Sequence, residues 1–348
     1  MSLSRLGRFP LAAYVAGAVL SACGGAQPTP AAPAAAAWVD PQLQHGHPRG
    51  WMRADTSSQD LLYISADFDG VGVVYVYTYP SGQLVGELTG FSFPQFECVD
   101  SAGDIFIPSV NESPTTGTIY EYAHGGATPT RMLRDPGAPG GCSIDPTTGN
   151  LAVANLSDAN NPHGNYGSIA VFAGSQSNPQ TFYPSGFAPQ TCGYDNQGNL
   201  YMSTGGGNRH DLSGFARLAK GSSSFEPLKL NAKISFAHAL PSVQWDGKHM
   251  TVSSNQGPIA PLYVYRLKIR GDRATVIGTI TLHDSPKENH SGQSWIVGRL
   301  IFGIDYHLGY RVSRWPYPQG GYPEWNIKHI TTSYLLNGLV LSPGSASR

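Results

Sequence analysis

A short unit, made of two strands joined by an Asp-to-Gly turn, recurs along this chain at a nearly constant interval. Its clearest copy runs from Cys192 to Ser203 and reads Cys-Gly-Tyr-Asp-Asn-Gln-Gly-Asn-Leu-Tyr-Met-Ser. In such a turn the Asp accepts hydrogen bonds from the following backbone amides, and the Gly supplies a positive φ. Further copies begin at Cys98, at Cys142 and, more loosely, at Val243. The recurrence predicts an architecture built from one repeated unit.

Six copies of a four-strand unit can be aligned from Leu61 onward, with the inner strand named A and the outer strand D. The A strands end at Asp100, Asp145, Asp195, Asp246, Gly298 and Ser342, which gives intervals of 45, 50, 51, 52 and 44 residues. Spacing of this size, with several short strands in each copy, is typical of β-propeller blades. The sequence therefore predicts an all-β, six-bladed propeller with four-stranded antiparallel blades.

The strands inside each copy follow from the alternation of apolar residues. The B strands are expected at 61–65, 105–107, 151–154, 200–203, 250–253 and 300–303, and the C strands at 74–77, 119–122, 169–172, 215–218, 262–265 and 310–313. The clearest D strands are 84–88, 180–183 and 274–280. Runs such as Val74-Tyr-Val-Tyr77 are apolar on both faces, because each blade packs on two neighbours.

The two ends of the repeat array predict how the ring closes. The first copy begins with a B strand at Leu61, and the last copy ends with an unpartnered A strand at 338–342. We expect this C-terminal strand to complete the first blade, since closure removes the open edges of the array.

Composition excludes some function classes. The 348 residues include 22 Lys and Arg against 23 Asp and Glu, so nothing favours electrostatic capture of nucleic acid. Only 13% of residues are charged, whereas Gly (42), Pro (27) and Tyr (18) are abundant, as expected for short strands and turns.

The residue pattern at the N-terminus differs from that of the repeats. Arg5 and Arg8 precede an apolar run at 11–20, and Leu20-Ser-Ala-Cys23 follows. This text resembles a bacterial lipoprotein signal, with an ordinary secretory peptide as the alternative. The resemblance implies removal of 1–22, a lipid on Cys23, export, and anchoring to a membrane of the cell envelope, by analogy the outer membrane if the cell has one. An Ala- and Pro-rich tether at 23–37 and a surface strap at 38–60 would precede the propeller at 61–348.

The turn motif carries a family resemblance. The stretch that ends at Ser203 resembles the repeat of NHL-type and TolB-like six-bladed propellers, most clearly in blades one to four. In such propellers the B–C and D–A loops share one rim of the central channel, where small-molecule sites usually form.

Polar residues predicted on that rim allow two enzyme interpretations. Gluconolactonase-like propellers hold calcium or another divalent cation in the channel, and Glu112, Asn155, Asn255 and Asp305 could supply its ligands here. Lyase relatives of NHL propellers bind a transition metal through His, for which the candidates are His163, His210, His290 and His307. No fixed ligand spacing supports either set, because Asn, Asp and His are also ordinary turn residues.

Three cysteines fall on the inner strands of adjacent blades. Cys98 lies two residues before its Asp, whereas Cys142 and Cys192 lie three before theirs, and an odd difference reverses the face of the strand. Cys98 and Cys142 can therefore face each other across one blade interface, and we hypothesise a disulfide between them, with Cys192 left as a thiol. Three buried thiols are the alternative.

An aromatic-rich segment, 315–325, lies between the last C and D strands. It could stack on sugars, or form an outer hairpin that packs on the preceding blade. Taken together, the sequence favours a lipid-anchored module that binds a small molecule, a glycan or a protein at its loop rim. The alternative is a metal-dependent hydrolase of the gluconolactonase kind.

Overall fold

The computed structural model describes residues 50–111, 115–162, 166–174, 177–184, 188–204, 214–232, 234, 241–255, 260–283, 293–305, 310–330 and 335–345. They belong to one compact unit, residues 39–348. Every regular element in these ranges is a β-strand. The same ranges contain no helix of the length and hydropathy that crossing a membrane requires. The expected lipoprotein signal and tether lie outside the described residues.

The strands form six sheets, as the repeat predicted. Blades 1 and 2 contain β1 (Trp51–Met52), β2 (Asp60–Phe68), β3 (Val71–Tyr79) and β4 (Leu84–Phe91), then β5 (Phe93–Pro94), β6 (Cys98–Val99), β7 (Ile105–Val110), β8 (Gly117–Tyr122) and β9 (Arg131–Asp135). Blades 3 and 4 contain β10 (Gly137–Ile144), β11 (Leu151–Asp158), β12 (Ser168–Phe172) and β13 (Gln180–Phe182), then β14 (Pro189–Tyr194), β15 (Leu200–Thr204), β16 (Phe215–Leu218) and β17 (Glu226–Pro227).

Blades 5 and 6 follow the same plan. They contain β18 (Lys229–Leu230), β19 (Val243–Trp245), β20 (Met250–Asn255), β21 (Leu262–Arg270) and β22 (Arg273–Leu282), then β23 (Ser294–Val297), β24 (Leu300–Asp305), β25 (Arg311–Pro316) and β26 (Trp325–Ile327). The last strand, β27 (Leu335–Ser342), returns to blade 1.

The ring closes as predicted. Strand β27 pairs antiparallel with β2, with Leu61 opposite Ser342 and Ile64 opposite Leu339. The C-terminal strand is therefore the inner strand of the first blade. This pairing joins the two ends of the array and leaves no open gap between blades 6 and 1.

Three blades have a fifth strand that the repeat did not predict. In blade 2 the inner strand is divided into β5 and β6, which both pair with β7. In blade 1, Trp51 and Met52 of the expected strap pair with the outer strand β4. In blade 5, β18 pairs parallel with β22 on the way from blade 4 to the centre of blade 5. The additions in blades 1 and 5 each cover an outer strand that would otherwise expose unpaired backbone groups.

Packing between blades explains the two-sided apolar pattern. In β3, Val74 and Val76 enter the cluster shared with blade 2, whereas Val73, Tyr75 and Tyr77 enter the cluster shared with blade 6. Successive side chains of a strand point to opposite faces, so one strand contributes to two interfaces.

The A–B turns have the predicted chemistry. The Oδ1 atom of Asp195 accepts hydrogen bonds from the amides of Gln197 and Asn199, both at 2.9 Å, and Gly198 has a φ of 82°. Asp100 accepts equivalent bonds from Ala102 at 2.8 Å and Asp104 at 2.9 Å. These Asp residues are structural.

The aromatic-rich segment packs on the preceding blade. The amide of Gly321 donates to the Thr281 carbonyl at 2.8 Å, and the amide of His283 donates to the Gly321 carbonyl at 2.8 Å. At its end, Trp325 Nε1 donates to the Pro80 carbonyl in blade 1 at 2.9 Å. The segment therefore ties blade 6 to both neighbours, as the hairpin interpretation predicted.

Candidate functional site

The inner strands leave very little space along the propeller axis. A cavity lined by residues at the inner strands of blades 2, 3, 4, 5 and 6 measures about 10 Å³, close to the least volume that holds one water molecule. Trp295 of β23 helps to fill the centre, because it packs against the apolar clusters between blades 6 and 1, blades 1 and 2, and blades 2 and 3. At this level the channel has no room for a substrate.

Glycines allow the inner strands to approach one another closely. A Cβ atom on Gly193 of blade 4 would lie 2.9 Å from the carbonyl carbon of Val243 in blade 5. Gly140 of blade 3 is similarly close to the carbonyl of Gln190 in blade 4. The narrow centre is thus a consequence of residue choice on the A strands.

Side chains also join neighbouring inner strands. Gln244 of blade 5 donates from Nε2 to the Ile296 carbonyl at 2.6 Å and accepts from the Ile296 amide at 2.7 Å. Between blades 2 and 3, Cys98 and Cys142 form a disulfide with a Cα–Cα distance of 5.6 Å. This is the pair that the strand parity indicated.

Cys192 is a buried free thiol, as the same parity indicated. Burial raises the pKa of Cys192 to about 12, so the thiol stays protonated at neutral pH. A protonated, enclosed thiol is a poor nucleophile.

Few of the predicted rim residues can be placed. Glu112, His163, His210, His290 and His307 lie outside the described residues. Asn255 and Asp305 end the strands β20 and β24, and only their backbone belongs to the described part. The described ranges contain no group of three or more His, Cys, Asp or Glu side chains placed to hold a metal ion.

Asn155 is the one rim candidate whose side chain is described. It is fully buried within β11, the B strand of blade 3. Its Nδ2 atom donates to Asp135 Oδ1 at 2.8 Å and to Ser168 Oγ at 3.1 Å. Asp135 comes from the outer strand of blade 2, and burial raises the pKa of its carboxyl group to about 7. Asn155 therefore lies at the seam between two blades.

A groove lies between blades 4 and 5. It encloses about 590 Å³ and is on the face of the A–B turns, opposite the rim loops. Blade 4 contributes Asp195, Asn196, Gln197, Asn199, Tyr201 and Arg217, and blade 5 contributes Trp245, Lys248, His249, Lys268, Ile269 and Ile277. Its volume is within the range of ligand-binding clefts.

The carboxylates near the groove are already bonded within their own blades. Asp195 Oδ2 accepts hydrogen bonds from Asn199 Nδ2 at 2.8 Å and Tyr201 Oη at 3.2 Å. Arg217 Nη2 pairs with Glu226 at 3.0 Å. By contrast, Lys248 and Lys268 are exposed and form no ion pair within the part of the chain that the structure describes. The groove therefore holds two lysines without an ion-pair partner in these ranges, together with the carboxylate of Asp195, whose hydrogen bonds come from uncharged groups.

A hydrogen-bonded cluster fixes the blade 5 side of the groove. Asp246 Oδ2 accepts bonds from Arg266 Nε at 3.0 Å and Tyr317 Oη at 2.6 Å. Arg266 Nη2 donates to His249 Nδ1 at 2.9 Å. Burial and the adjacent guanidinium lower the pKa of His249, so this ring is neutral at pH 7. The cationic charge of the groove that has no ion-pair partner in the described ranges comes from Lys248 and Lys268.

The groove also has an apolar part. Trp245 packs against the cluster between blades 4 and 5, and Ile277 is 46% exposed. These residues were not predicted as a site, because the polar side chains that resemble a ligand set belong to the opposite rim. Their signal in the sequence is weak: Trp245 immediately precedes an Asp-Gly turn, and Lys248 is inside that turn.

Comparisons with known proteins identify the fold and no family. No protein-family model and no curated protein matches the sequence. Among solved structures, the chain is similar to TolB from Acinetobacter baumannii, with a TM-score of 0.52 and 14% identity over 84% of this chain and 68% of that one. It is also similar to a functionally unknown protein from Desulfotomaculum acetoxidans, with a TM-score of 0.51 and 14% identity over 85% and 89% of the two chains. These likenesses support the propeller fold alone.

Proposed function

We propose that this chain is an exported, lipid-anchored β-propeller that binds an acidic segment of a protein partner in the groove between blades 4 and 5. The observation that carries the proposal is the groove of about 590 Å³. It combines Lys248 and Lys268, which have no ion-pair partner among the described residues, with the apolar surface of Trp245 and Ile277. β-Propellers commonly serve as protein-binding modules, and their binding sites are specific to each protein.

Charge complementarity selects the kind of partner. An acidic segment would place carboxylates beside Lys248, Lys268 and Arg217, while an aromatic or aliphatic side chain in it would cover Trp245. Aromatic residues and Arg are enriched at the centres of protein interfaces. A basic segment would instead leave the lysines beside like charges, which is unfavourable.

The proposal of export and lipid anchoring rests on the N-terminal sequence. The basic residues, the apolar run and Cys23 have the order of a lipoprotein signal. The disulfide between Cys98 and Cys142 supports the same location, because structural disulfides persist mainly in oxidising compartments.

The alternative function, a hydrolase with a metal in the channel, gains no support from the described residues. It would require space on the axis for both an ion and a substrate, and the inner strands enclose about 10 Å³. We therefore favour binding over catalysis as the function of this protein.

Peptide binding tests the groove. A short, fluorescently labelled peptide rich in Asp and Glu with one Phe is titrated with purified protein, beside a peptide in which Lys replaces each acid. The acidic peptide is expected to bind in the micromolar range, about −8 kcal/mol, with affinity that falls as salt is added. The basic peptide is expected not to bind.

Two charge reversals locate the binding site. Combining Lys248→Glu with Lys268→Glu is expected to lower the affinity for the acidic peptide at least tenfold, because both exposed ammonium groups are replaced by carboxylates. Lys328→Glu is the matched control, since Lys328 is exposed on blade 6 and changes the net charge by the same amount per site. Equal binding by the double variant, the control and the unaltered protein would refute the groove assignment.

A further inference from the structure

Three buried oxygen atoms at the seam of blades 2 and 3 have no hydrogen-bond partner among the described residues. They are Asp135 Oδ2, Asn155 Oδ1 and Asp158 Oδ2. Asp135 and Asn155 are fully buried, and Asp158 is 2% exposed. Leaving one buried polar atom unsatisfied costs about 1–3 kcal/mol, so three together require an explanation.

The fold brings the three residues to one place. Asp135 ends β9, the outer strand of blade 2, and two residues later the chain begins β10 of blade 3. There Gly137 is the strand partner of Asp158 on β11. Asn155 is on the same strand as Asp158, and its Nδ2 atom contacts Asp135 Oδ1 at 2.8 Å.

The other polar atoms of these side chains are already bonded, which fixes the groups in position. Asp135 Oδ1 also accepts from the Gly137 amide at 2.9 Å. Asp158 Oδ1 accepts from the Asn160 amide at 2.8 Å. Asn155 Nδ2 also donates to Ser168 Oγ. Each side chain therefore has one oxygen left over, and all three leftover atoms are acceptors when both acids are ionised.

The described residues provide no counter-charge for the two carboxylates of this seam. Within these ranges, neither Asp135 nor Asp158 forms an ion pair with Lys, Arg or His. Two buried carboxylates without a counter-charge are strongly unfavourable, and in proteins such groups are paired, protonated or bound to a metal.

We propose that Asp135, Asn155 and Asp158 form a binding site for one divalent cation, with calcium as the best chemical match. All three donors are oxygen atoms, two from carboxylates and one from an amide, and calcium prefers such mixed sets completed by water. Because the residues come from two blades, the ion would join blade 2 to blade 3. The site is on the face opposite the groove and does not depend on the proposed partner.

The test begins with purified protein that has been stripped with EDTA and dialysed. Calorimetric titration with Ca²⁺ is expected to show one ion bound per chain, and saturating Ca²⁺ is expected to raise the melting temperature by several degrees. Titration with Mg²⁺ is expected to show weaker binding, because Mg²⁺ loses its water ligands reluctantly.

Variants assign the ion to the seam. Asp135→Asn and Asp158→Asn are each expected to weaken Ca²⁺ binding at least tenfold. Asp135→Asn is expected to fold in EDTA as well as the unaltered protein does, since it removes a buried like-charge pair while keeping the shape of the side chain. The control is Asp272→Asn, an exposed carboxylate paired with Lys229 at 2.7 Å, which is expected to leave Ca²⁺ binding unchanged.

Two results would overturn the proposal. One is a protein that binds neither Ca²⁺ nor Mg²⁺ at millimolar concentration. The other is Ca²⁺ binding that persists unweakened in both Asp135→Asn and Asp158→Asn. In the first case, infrared spectroscopy is expected to show a protonated carboxyl group that disappears in Asp135→Asn, which would assign a proton to the seam in place of a cation.

Discussion

The carboxyl group of Glu97 lies against the Cα atom of Gly338, where the inner strand of blade 1 passes that of blade 2. Glu97 is fully buried, and the Ser65 hydroxyl donates to its Oε1 atom. Burial raises the pKa of Glu97 to about 8, so this acid is mainly protonated at neutral pH. The ring is thus closed beside an uncharged carboxyl group.

Glu97 is expected to make stability depend on pH. The folded-state pKa of about 8 exceeds the unfolded value of 4.5, so the folded state binds more protons between those values. The free energy of unfolding therefore falls as pH rises from about 5 to 8. Glu97→Gln, which cannot ionise, is expected to show a smaller fall and to be more stable than the unaltered protein at pH 8. Denaturant midpoints measured across this window test the prediction; identical slopes for the two proteins would contradict it.

Gly338→Ala is expected to destabilise the propeller by about 1–3 kcal/mol, as overpacking usually does. An added Cβ atom would overlap Glu97 Oε2 and lie 2.9 Å from the Cα atom of Phe96. Gly278→Ala is the control, because its Cβ atom would meet nothing closer than the Arg266 side chain at 3.9 Å. Thermal unfolding compares the two variants. Equal melting temperatures would show that the packing around Gly338 can accommodate a methyl group.

Loss of the disulfide is expected to lower the free energy of unfolding by about 2–4 kcal/mol. The bond joins residues 44 positions apart, so it restricts a long loop of the unfolded chain. Replacing both Cys98 and Cys142 with Ser tests this by denaturant unfolding. Cys192→Ser serves as the control for a buried thiol, and a double variant no less stable than that control would argue against a structural role for the bond.

Cys23→Ser is expected to move the protein from the membrane fraction to the soluble extracytoplasmic fraction. The lipoprotein interpretation makes Cys23 the only attachment point for lipid, and several acyl chains are needed for stable anchoring. Cell fractionation and metabolic labelling with a fatty acid measure the effect. Unchanged membrane association of the Cys23→Ser variant would contradict the lipid anchor and leave the groove proposal untouched.

The sequence was sufficient to predict the fold because its signals are local. Asp195 and Gly198 define a turn through three residues, and the alternation in β3 reports that both faces are buried. Parity along the A strands led to the hypothesis of a disulfide between Cys98 and Cys142, which the structure contains. Each inference depends on spacing within a strand or on a repeat that keeps its register from blade to blade.

The groove and the seam depend on register between blades, which spacing along one strand does not report. Asn199 of blade 4 and Lys268 of blade 5 line one groove because the A–B turn of blade 4 lies beside the hairpin of β21 and β22. Asp135 meets Asn155 because irregular pairing near Pro139 shifts β10 against β11. The additional strand β18 likewise depends on the path between blades. Such contacts become visible only when neighbouring sheets are placed in three dimensions.

The proposed binding surface is the A–B face between blades 4 and 5. Hydrogen exchange of the backbone amides, measured with and without the acidic peptide, locates the bound peptide directly. Binding in the groove is expected to slow exchange in residues 195–201, 245–250 and 267–269, with no change at residues 155–162 on the opposite rim. Protection confined to the opposite rim, or no protection at saturating peptide, would contradict it.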